Sequence, residues 1–329
     1  MDWGSNKNKG SSLFNSIQQK RGTQVFILKV KYMKKINFNK IEDKILEFLF
    51  FLSGFFVILA LSGIFLLVLK TALQALKNIP ISEFLFKFYW NPTSYTKPTY
   101  GMLSMIMGTF IITFFALLFA IPIGIASAIF ISEIASHKFK EFIKPIIELL
   151  AAIPSVVLGF FGIVVLGPYL AKIFNLNTGL NALNGSILVS IIALPTIISI
   201  SEDALNRVPK SYEEASYALG ATKFQTLLKI KIPSAMSGII SGCLLGMGRI
   251  IGETMTVLMA AGCAASIPKS IFDPVRPMTA TIAIELGEVA FNTDHYYALF
   301  VVGLVLFIIT FIINLIADMI LYKYQHSRR

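Results

Sequence analysis

Charge is scarce in this chain of 329 residues. Asp, Glu, Lys and Arg together supply 14% of it, where an ordinary soluble domain carries about a quarter. So few polar groups cannot cover a globule in water without leaving large apolar patches, which excludes a soluble enzyme. Cysteine is nearly absent too. Its two residues, Cys243 and Cys263, lie in one apolar run and would stand about 30 Å apart on a helix. A disulfide between them is excluded. Three scattered histidines, His137, His295 and His326, have no metal-ligand spacing. No G-x-x-x-x-G-K-[ST] stretch occurs, so the chain lacks that phosphate-cradling loop. Low-complexity repeats are missing as well, and a chain rich in Leu, Ile, Phe and Val is not disordered.

What is present is apolar. Hydrophobic residues make up 55%, with 28 phenylalanines, and the mean hydropathy is +0.72. Long apolar segments fall at 45–69, 102–131, 146–171, 185–201, 234–262 and 296–321, each near the roughly 20 residues that cross a bilayer. The fourth is short and contains Pro195, and its start is placed only to within a few residues. An all-α membrane protein of six helices is expected. Pro122, Pro154 and Pro195 suit helices that kink where neighbours re-satisfy the backbone. Residues 80–98, with Phe84, Phe86, Phe88, Tyr89 and Trp90 before Asn91-Pro92, read as an interfacial aromatic segment.

The net charge of +11 allows nucleic-acid binding or basic membrane loops, and its distribution decides between them. Ten Lys/Arg precede the first span, three follow the second, five lie in 202–233 and three end the chain. That is 21 of 29 on one side, seven on the other, and Arg249 alone within a span. Without the N-terminal arm the contrast is still 11 against 7. Dispersed loop charges speak against nucleic acid, and the positive-inside rule puts both termini in the cytoplasm. The organisation expected is a basic arm at 1–44, a membrane domain at 45–322 and a tail at 323–329. No cleavable signal peptide is visible in the arm. Met33-Lys34-Lys35 reads as a possible start, which makes residues 1–32 an extension dispensable for transport.

Between the fourth and fifth spans, residues 202–233 carry Glu214-Ala215-Ser216, then Gly220 after three residues, then Ile230-Lys231-Ile232-Pro233 after nine more. Small residues let a helix sit close to another surface, and Gly220 permits a sharp turn at its end. The bland alternative is an amphipathic loop lying on lipid. The spacing resembles the EAA loop of ABC-importer permeases, with Ser216 for the second Ala and Ile232 for Leu. That resemblance implies a subunit that docks a separate ATPase through Glu214, Ala215, Ser216, Gly220, Ile230 and Pro233 and does not hydrolyse ATP itself. The run Gly246-Met247-Gly248-Arg249-Ile250-Ile251-Gly252 only mimics a dinucleotide fingerprint. Its last spacing is one residue too long and no strand precedes it.

Arg249 sits near the centre of the fifth span, with Glu253 four residues on. A charge at that depth is costly, and an opposite charge at i+4 on the same face offsets part of the cost. On one continuous helix Gly238, Gly242, Gly246, Arg249, Glu253 and Thr256 fall within about 80° of one another. Small residues every four positions favour close helix contact, so this stripe is expected to face the protein. Arg249 and Glu253 then form either a structural ion pair or part of an anion path, where paired hydrogen bonds from the guanidinium suit phosphate-like oxygens. Thr256 joins them as a candidate path residue. Glu285 and Glu288 are read as a solvated loop, and Glu47, Glu148 and Asp318 as interfacial.

The segment Gly248-Arg249-Ile250-Ile251-Gly252-Glu253-Thr254-Met255 is similar to one in phosphate-importer permeases, with Ile250 where Ala is usual. Glu148-Leu149-Leu150-Ala151-Ala152-Ile153-Pro154-Ser155-Val156-Val157 and Leu194-Pro195-Thr196-Ile197 also resemble that family, of the PstC type. The likeness covers about residues 45–322. It implies a permease for inorganic phosphate in a bacterial inner membrane, paired with a homologous PstA-type permease. Two PstB-type ATPases, which bind ATP and Mg, and an external PstS-type phosphate-binding protein complete the implied assembly. No cofactor or metal is expected in this chain. An importer of another oxyanion, sulfate or molybdate, is the nearest alternative, and an ATP-independent anion transporter the next.

Overall fold

The computed structural model describes residues 43–94 and 97–326. Nearly all of the basic arm, Met33 included, and the last three residues of the tail lie outside them. The chain divides into two compact units, Met1–Leu67 and Val68–Arg329. In the first unit, residues 43–67 are helical, with large apolar side chains such as Phe50, Phe56 and Ile58 exposed, as suits a lipid-facing surface.

Six helices among the described residues are long and apolar enough to cross a membrane: Asp43–Asn78, Leu103–Ile134, Ser155–Phe174, Ala182–Asn206, Lys223–Gly252 and Asp294–Met319. Two of the six differ from the hydropathy reading for a physical reason. The apolar run 146–171 is not one helix. His137–Ala152 ends at Ile153-Pro154 and a new helix starts at Ser155, because a proline disfavours helical geometry in the residue before it. The first piece is amphipathic, with no buried residue. The run 234–262 is also divided. Its helix continues from Lys223 to Gly252 and stops, and a second, short helix occupies Met255–Ala260.

The fourth helix, Ala182–Asn206, is the axis of the second unit, and 67% of its apolar window is buried. Asn181 caps it by accepting a hydrogen bond from the Asn184 amide at 3.0 Å, supplying one of the partners that helix starts lack. Helices two and five close on it through glycine. A Cβ added at Gly124 or at Gly246 would come within 2.6 Å of Ile197, and one at Gly242 within 3.2 Å of Ile200. Gly238 abuts Ala204 in the same way. The stripe of small residues on helix five therefore faces helix four, and Ile197, Ala193, Ala120 and Ile250 fill the core there.

On the side where helix six begins, a second core gathers Phe84, Trp90, Tyr100, Met102, Met278 and Leu299. The segment read as interfacial forms a short helix, Ile81–Phe86, and a two-stranded antiparallel hairpin pairing Trp90 with Tyr100. A half-length helix, Met278–Glu285, descends beside it.

Candidate functional site

Arg249 lies in the last turn of helix five, four residues before the break. Its guanidinium donates to the Thr196 hydroxyl at 3.5 Å and to the Ala151 carbonyl at 3.4 Å. Three motifs far apart in sequence thus meet at one cation: the Ala151–Pro154 break, the Leu194–Ile197 segment of helix four, and the end of helix five.

Glu253 does not pair with it. The i, i+4 geometry holds only on a continuous helix, and Glu253 has left that geometry with ψ at 130°. Among the described residues no ion pair joins the two charges. The Glu253 carboxylate instead accepts the Thr256 amide at 3.2 Å, and its carbonyl accepts the Thr279 hydroxyl at 3.0 Å. Thr256 is fully buried and donates its hydroxyl to the Ser155 carbonyl at 3.0 Å. Gly238, Gly242, Gly246 and Arg249 share the face toward helix four, whereas the helix ends at Gly252, and Glu253 and Thr256 do not continue that face. The Glu253 carboxylate and the Thr279 hydroxyl thus take up backbone groups freed by the break, as an interruption at membrane depth requires. Among the described residues Arg249 has neutral partners only.

Toward the chain's other predicted site, residues 210–233 form two short helices around a turn. Lys210–Ala218 is followed by Gly220 at φ +81°, and Thr222 caps Lys223–Thr226 in a capping box with Gln225. Nothing lies within 4 Å of a Cβ at Gly220, so the positive φ alone favours glycine there. Glu214 and Ala215 are exposed, whereas Ser216 is buried and shares a 2.8 Å hydrogen bond with the Thr226 hydroxyl. The departure from Ala at 216 thus has a local use. Ile230 and Pro233 are half-buried at the base of helix five. Tyr212, Tyr217, Leu219 and Phe224 stand exposed around the turn, Leu219 at 88%, offering apolar knobs beside the Glu214 carboxylate.

Two polar clusters escaped the sequence reading. Lys231 is 9% exposed and its ammonium lies 2.7 Å from Glu133 and in contact with Glu213. The only signal was a lysine set between apolar residues in Ile230-Lys231-Ile232. Glu285, read as part of a solvated loop, is corrected here. Its carboxylate, 14% exposed, accepts from Arg276 at 2.6 Å, Trp90 at 2.8 Å and His295 at 2.7 Å. Burial pushes its pKa upward, but the hydrogen bonds from His295 and Trp90 and the Arg276 charge outweigh that and hold it below the usual carboxylate range. A cavity of about 610 Å³ beside it is lined by Asn91, Thr93, Arg276, Glu288 and Thr293 among others. Glu288 is exposed, as expected. Among the described residues no group of three or more His, Cys, Asp or Glu is placed to hold a metal ion.

Comparison with known proteins adds an independent line. Residues 120–326 match the family described as "Binding-protein-dependent transport system inner membrane component". A probable ABC transporter permease protein of Bacillus subtilis, YqgH, is 42% identical over 247 residues, covering 75% of this chain and 78% of that one. The phosphate transport system permease protein PstC of Mesorhizobium japonicum is 34% identical over 290 residues, covering 82% and 87%. Among solved structures, a bacterial alginate ABC transporter chain superposes with a TM-score of 0.55 at 17% identity, over 80% of this chain and 92% of that one. A chain of the MetNI methionine ABC transporter does so with 0.51 at 21% identity, over 68% and 94%. At such identities the structural matches speak to the fold.

Proposed function

Given that the chain belongs to the family of binding-protein-dependent transport system inner membrane components, we propose that it is the PstC-type permease subunit of an ATP-driven importer of inorganic phosphate. The observation that carries the reading is the state of Arg249. Among the described residues a permanently charged guanidinium is held by a carbonyl and a hydroxyl and by no carboxylate, which supports a charge available to an oxyanion. A planar fork of donors matches tetrahedral oxygens, and bonds to a charged partner are the strong ones. The 3.4 and 3.5 Å contacts are long for a guanidinium and are easily exchanged for a ligand. Weak holding at several neutral groups also lets an anion leave, as conduction requires.

Glu253 acts differently from a partner of Arg249 in this scheme. It fixes the break after Gly252 by accepting the Thr256 amide, and Thr256 ties the short helix to Ser155. The break leaves Arg249 in the last turn before the chain interruption, where small shifts of the short helix Met255–Ala260 would change the surroundings of the anion. Residues 202–233 receive the ATPase through Tyr212, Tyr217, Leu219, Phe224 and Glu214. The partners expected are a PstA-type permease, two PstB-type ATPases that hold ATP and Mg, and an external PstS-type binding protein. The chain itself performs no hydrolysis and needs no cofactor. The Lys/Arg distribution supports cytoplasmic termini, which puts the Arg249 end of helix five toward the outer half of a bacterial inner membrane.

The test is uptake by sealed vesicles carrying this chain with its co-purified partners, with phosphate, sulfate and molybdate offered separately. ATP-dependent phosphate uptake is expected, with the other two anions failing to compete. Preferential sulfate or molybdate uptake would replace the substrate, and uptake without ATP or any ATPase would overturn the importer reading.

A further inference from the structure

At the base of helix five one lysine serves three chain segments. Lys231 immediately precedes the α-helical run Ile232–Gly252 that carries Arg249. Glu133 closes helix two, and Glu213 belongs to the exposed helix Lys210–Ala218. Side-chain exposures of 11%, 10% and 23% for Lys231, Glu133 and Glu213 show how little water reaches the group. An ammonium is a compact charge with three donors, so it alone bridges two carboxylates that would otherwise repel. Around it, the Ser132 hydroxyl lies 2.7 Å from Glu133 and 3.0 Å from Asn206 at the end of helix four, while Lys223 donates to the Glu133 carbonyl at 3.0 Å. Removing the lysine would leave two buried like charges side by side, which is far worse than a weakened contact.

We propose that Lys231 is a positioning residue that locks the Lys210–Ala218 helix to helices two and five as one lever. A displacement of that helix is thereby carried along helix five to the Arg249 region. The proposal rests on the reading that residues 202–233 dock an ATPase. The Ser216–Thr226 bond ties the Lys210–Ala218 helix to the first turn of helix five, and Lys223 links that turn to the Glu133 carbonyl. Lys231 adds the charged contact that joins the Lys210–Ala218 helix, helix two and helix five at one point. Buried ion pairs contribute little net stability yet define which surfaces fit together, which is what a lever needs.

Two measurements test this on the full-length chain. In proteoliposomes of the purified assembly, the ratio of phosphate moved to ATP hydrolysed is read for wild type, Lys231→Met, Lys231→Arg and the exchange Lys231→Glu with Glu213→Lys. Lys231→Met is expected to lower the ratio at least tenfold while ATP hydrolysis continues, Lys231→Arg to keep at least half of it, and the exchange to recover several-fold over Lys231→Met. An unchanged ratio in Lys231→Met, or an Arg variant as poor as Met, overturns the proposal. The second readout needs no ATPase and so separates this joint from the docking reading. Spin labels at Tyr217→Cys and Phe130→Cys, with Cys243 and Cys263 replaced by Ser, report the distance between the exposed helix and helix two. Lys231→Met should broaden that distribution and Lys231→Arg should not. A narrow distribution in Lys231→Met sinks the lever even if transport fails.

Discussion

Helix five carries a cation near each end, Lys231 buried and Arg249 half-buried, and the chain treats the two oppositely. Lys231 at its base is met by two carboxylates and sits where three segments join. Arg249, eighteen residues on and about 27 Å away along the helix, meets a carbonyl and a hydroxyl and, among the described residues, no carboxylate. A charge that only holds structure together is best neutralised, because an unpaired charge in a low-dielectric setting is costly. In the reading proposed above, the charge that Arg249 lacks within the described residues is supplied by an oxyanion in transit. The same contrast separates joint from path in the rest of the molecule. Glu285, with three donors around it, belongs with Lys231.

The largest effect expected from this comparison is at Arg249. Arg249→Gln removes the charge while keeping a hydrogen-bonding side chain of moderate length. Two hydrogen bonds to a charged anion, each about 1.5–3 kcal/mol, amount to a loss of about 100-fold or more in phosphate uptake. Arg249→Lys keeps the charge and loses the fork, so a small residue of uptake is expected. Assembly and detergent-solubilised stability should change little, because no carboxylate loses its partner. Normal uptake by Arg249→Gln, measured in the same vesicles, would remove Arg249 from the path and make the two cations alike.

Second in size is the close approach that places Arg249 beside helix four. Gly246 packs on Ile197 so tightly that even a methyl group would come within 2.6 Å of it. Gly246→Leu forces helices four and five apart, and overpacking of this kind costs about 1–3 kcal/mol or more. Thermal unfolding in detergent should register the loss, together with reduced uptake, since Thr196 sits on the helix that is pushed away. Gly248, whose Cβ would meet nothing within 4 Å, is the control. Gly248→Ala should leave both measurements near wild type.

Why these features were legible in unequal measure has physical causes. The six spans, the loop at 202–233 and the glycine stripe each rest on local periodicity or spacing, which hydropathy and helical geometry expose. The break after Gly252 does not. Residues 234–262 form one unbroken apolar run, and what stops the helix is tertiary: Thr279, 26 residues away, takes the Glu253 carbonyl. Pro154 did announce its break, but apolar residues on both sides concealed that the helix before it is a separate, amphipathic one. Glu285 was unreadable because its indole donor, Trp90, lies 195 residues away in another part of the chain. Lys231 was hidden for the same reason, with Glu133 contributed by helix two.

Third comes the neutralised carboxylate. The folded-state pKa of Glu285 is lowered, so its contribution to stability is fully present above the ordinary carboxylate pKa and is lost as pH falls through the folded value. Thermal unfolding followed from neutral pH down into the acid range should therefore weaken in wild type. Glu285→Gln should begin lower by about 2 kcal/mol, the scale of a charge-assisted hydrogen bond. It should also show a shallower decline with acid over the same window. Identical slopes in the two proteins would show that the cluster around Trp90, Arg276 and His295 does not depend on the carboxylate charge.

The smallest expected effect lies at the loop's turn. Gly220 has φ at +81° with open space around it, so Gly220→Ala introduces strain and no clash. The cost is about 1 kcal/mol, because a side chain reaches this backbone region only with difficulty. Spread over a membrane protein of this size, that is a shift of only a few degrees in unfolding temperature. The turn nonetheless sets the angle at which Leu219 and Phe224 are presented, far along helix five from Arg249 and on the face where we propose that the ATPase docks. Gly220→Ala is therefore expected to lower phosphate moved per ATP by less than Lys231→Met, and to leave unaltered which anion is chosen. If it changed the preference between phosphate and sulfate, the division between a neutralised joint and an open path would have to be redrawn, because a residue of the coupling loop would then be setting the chemistry at the anion site.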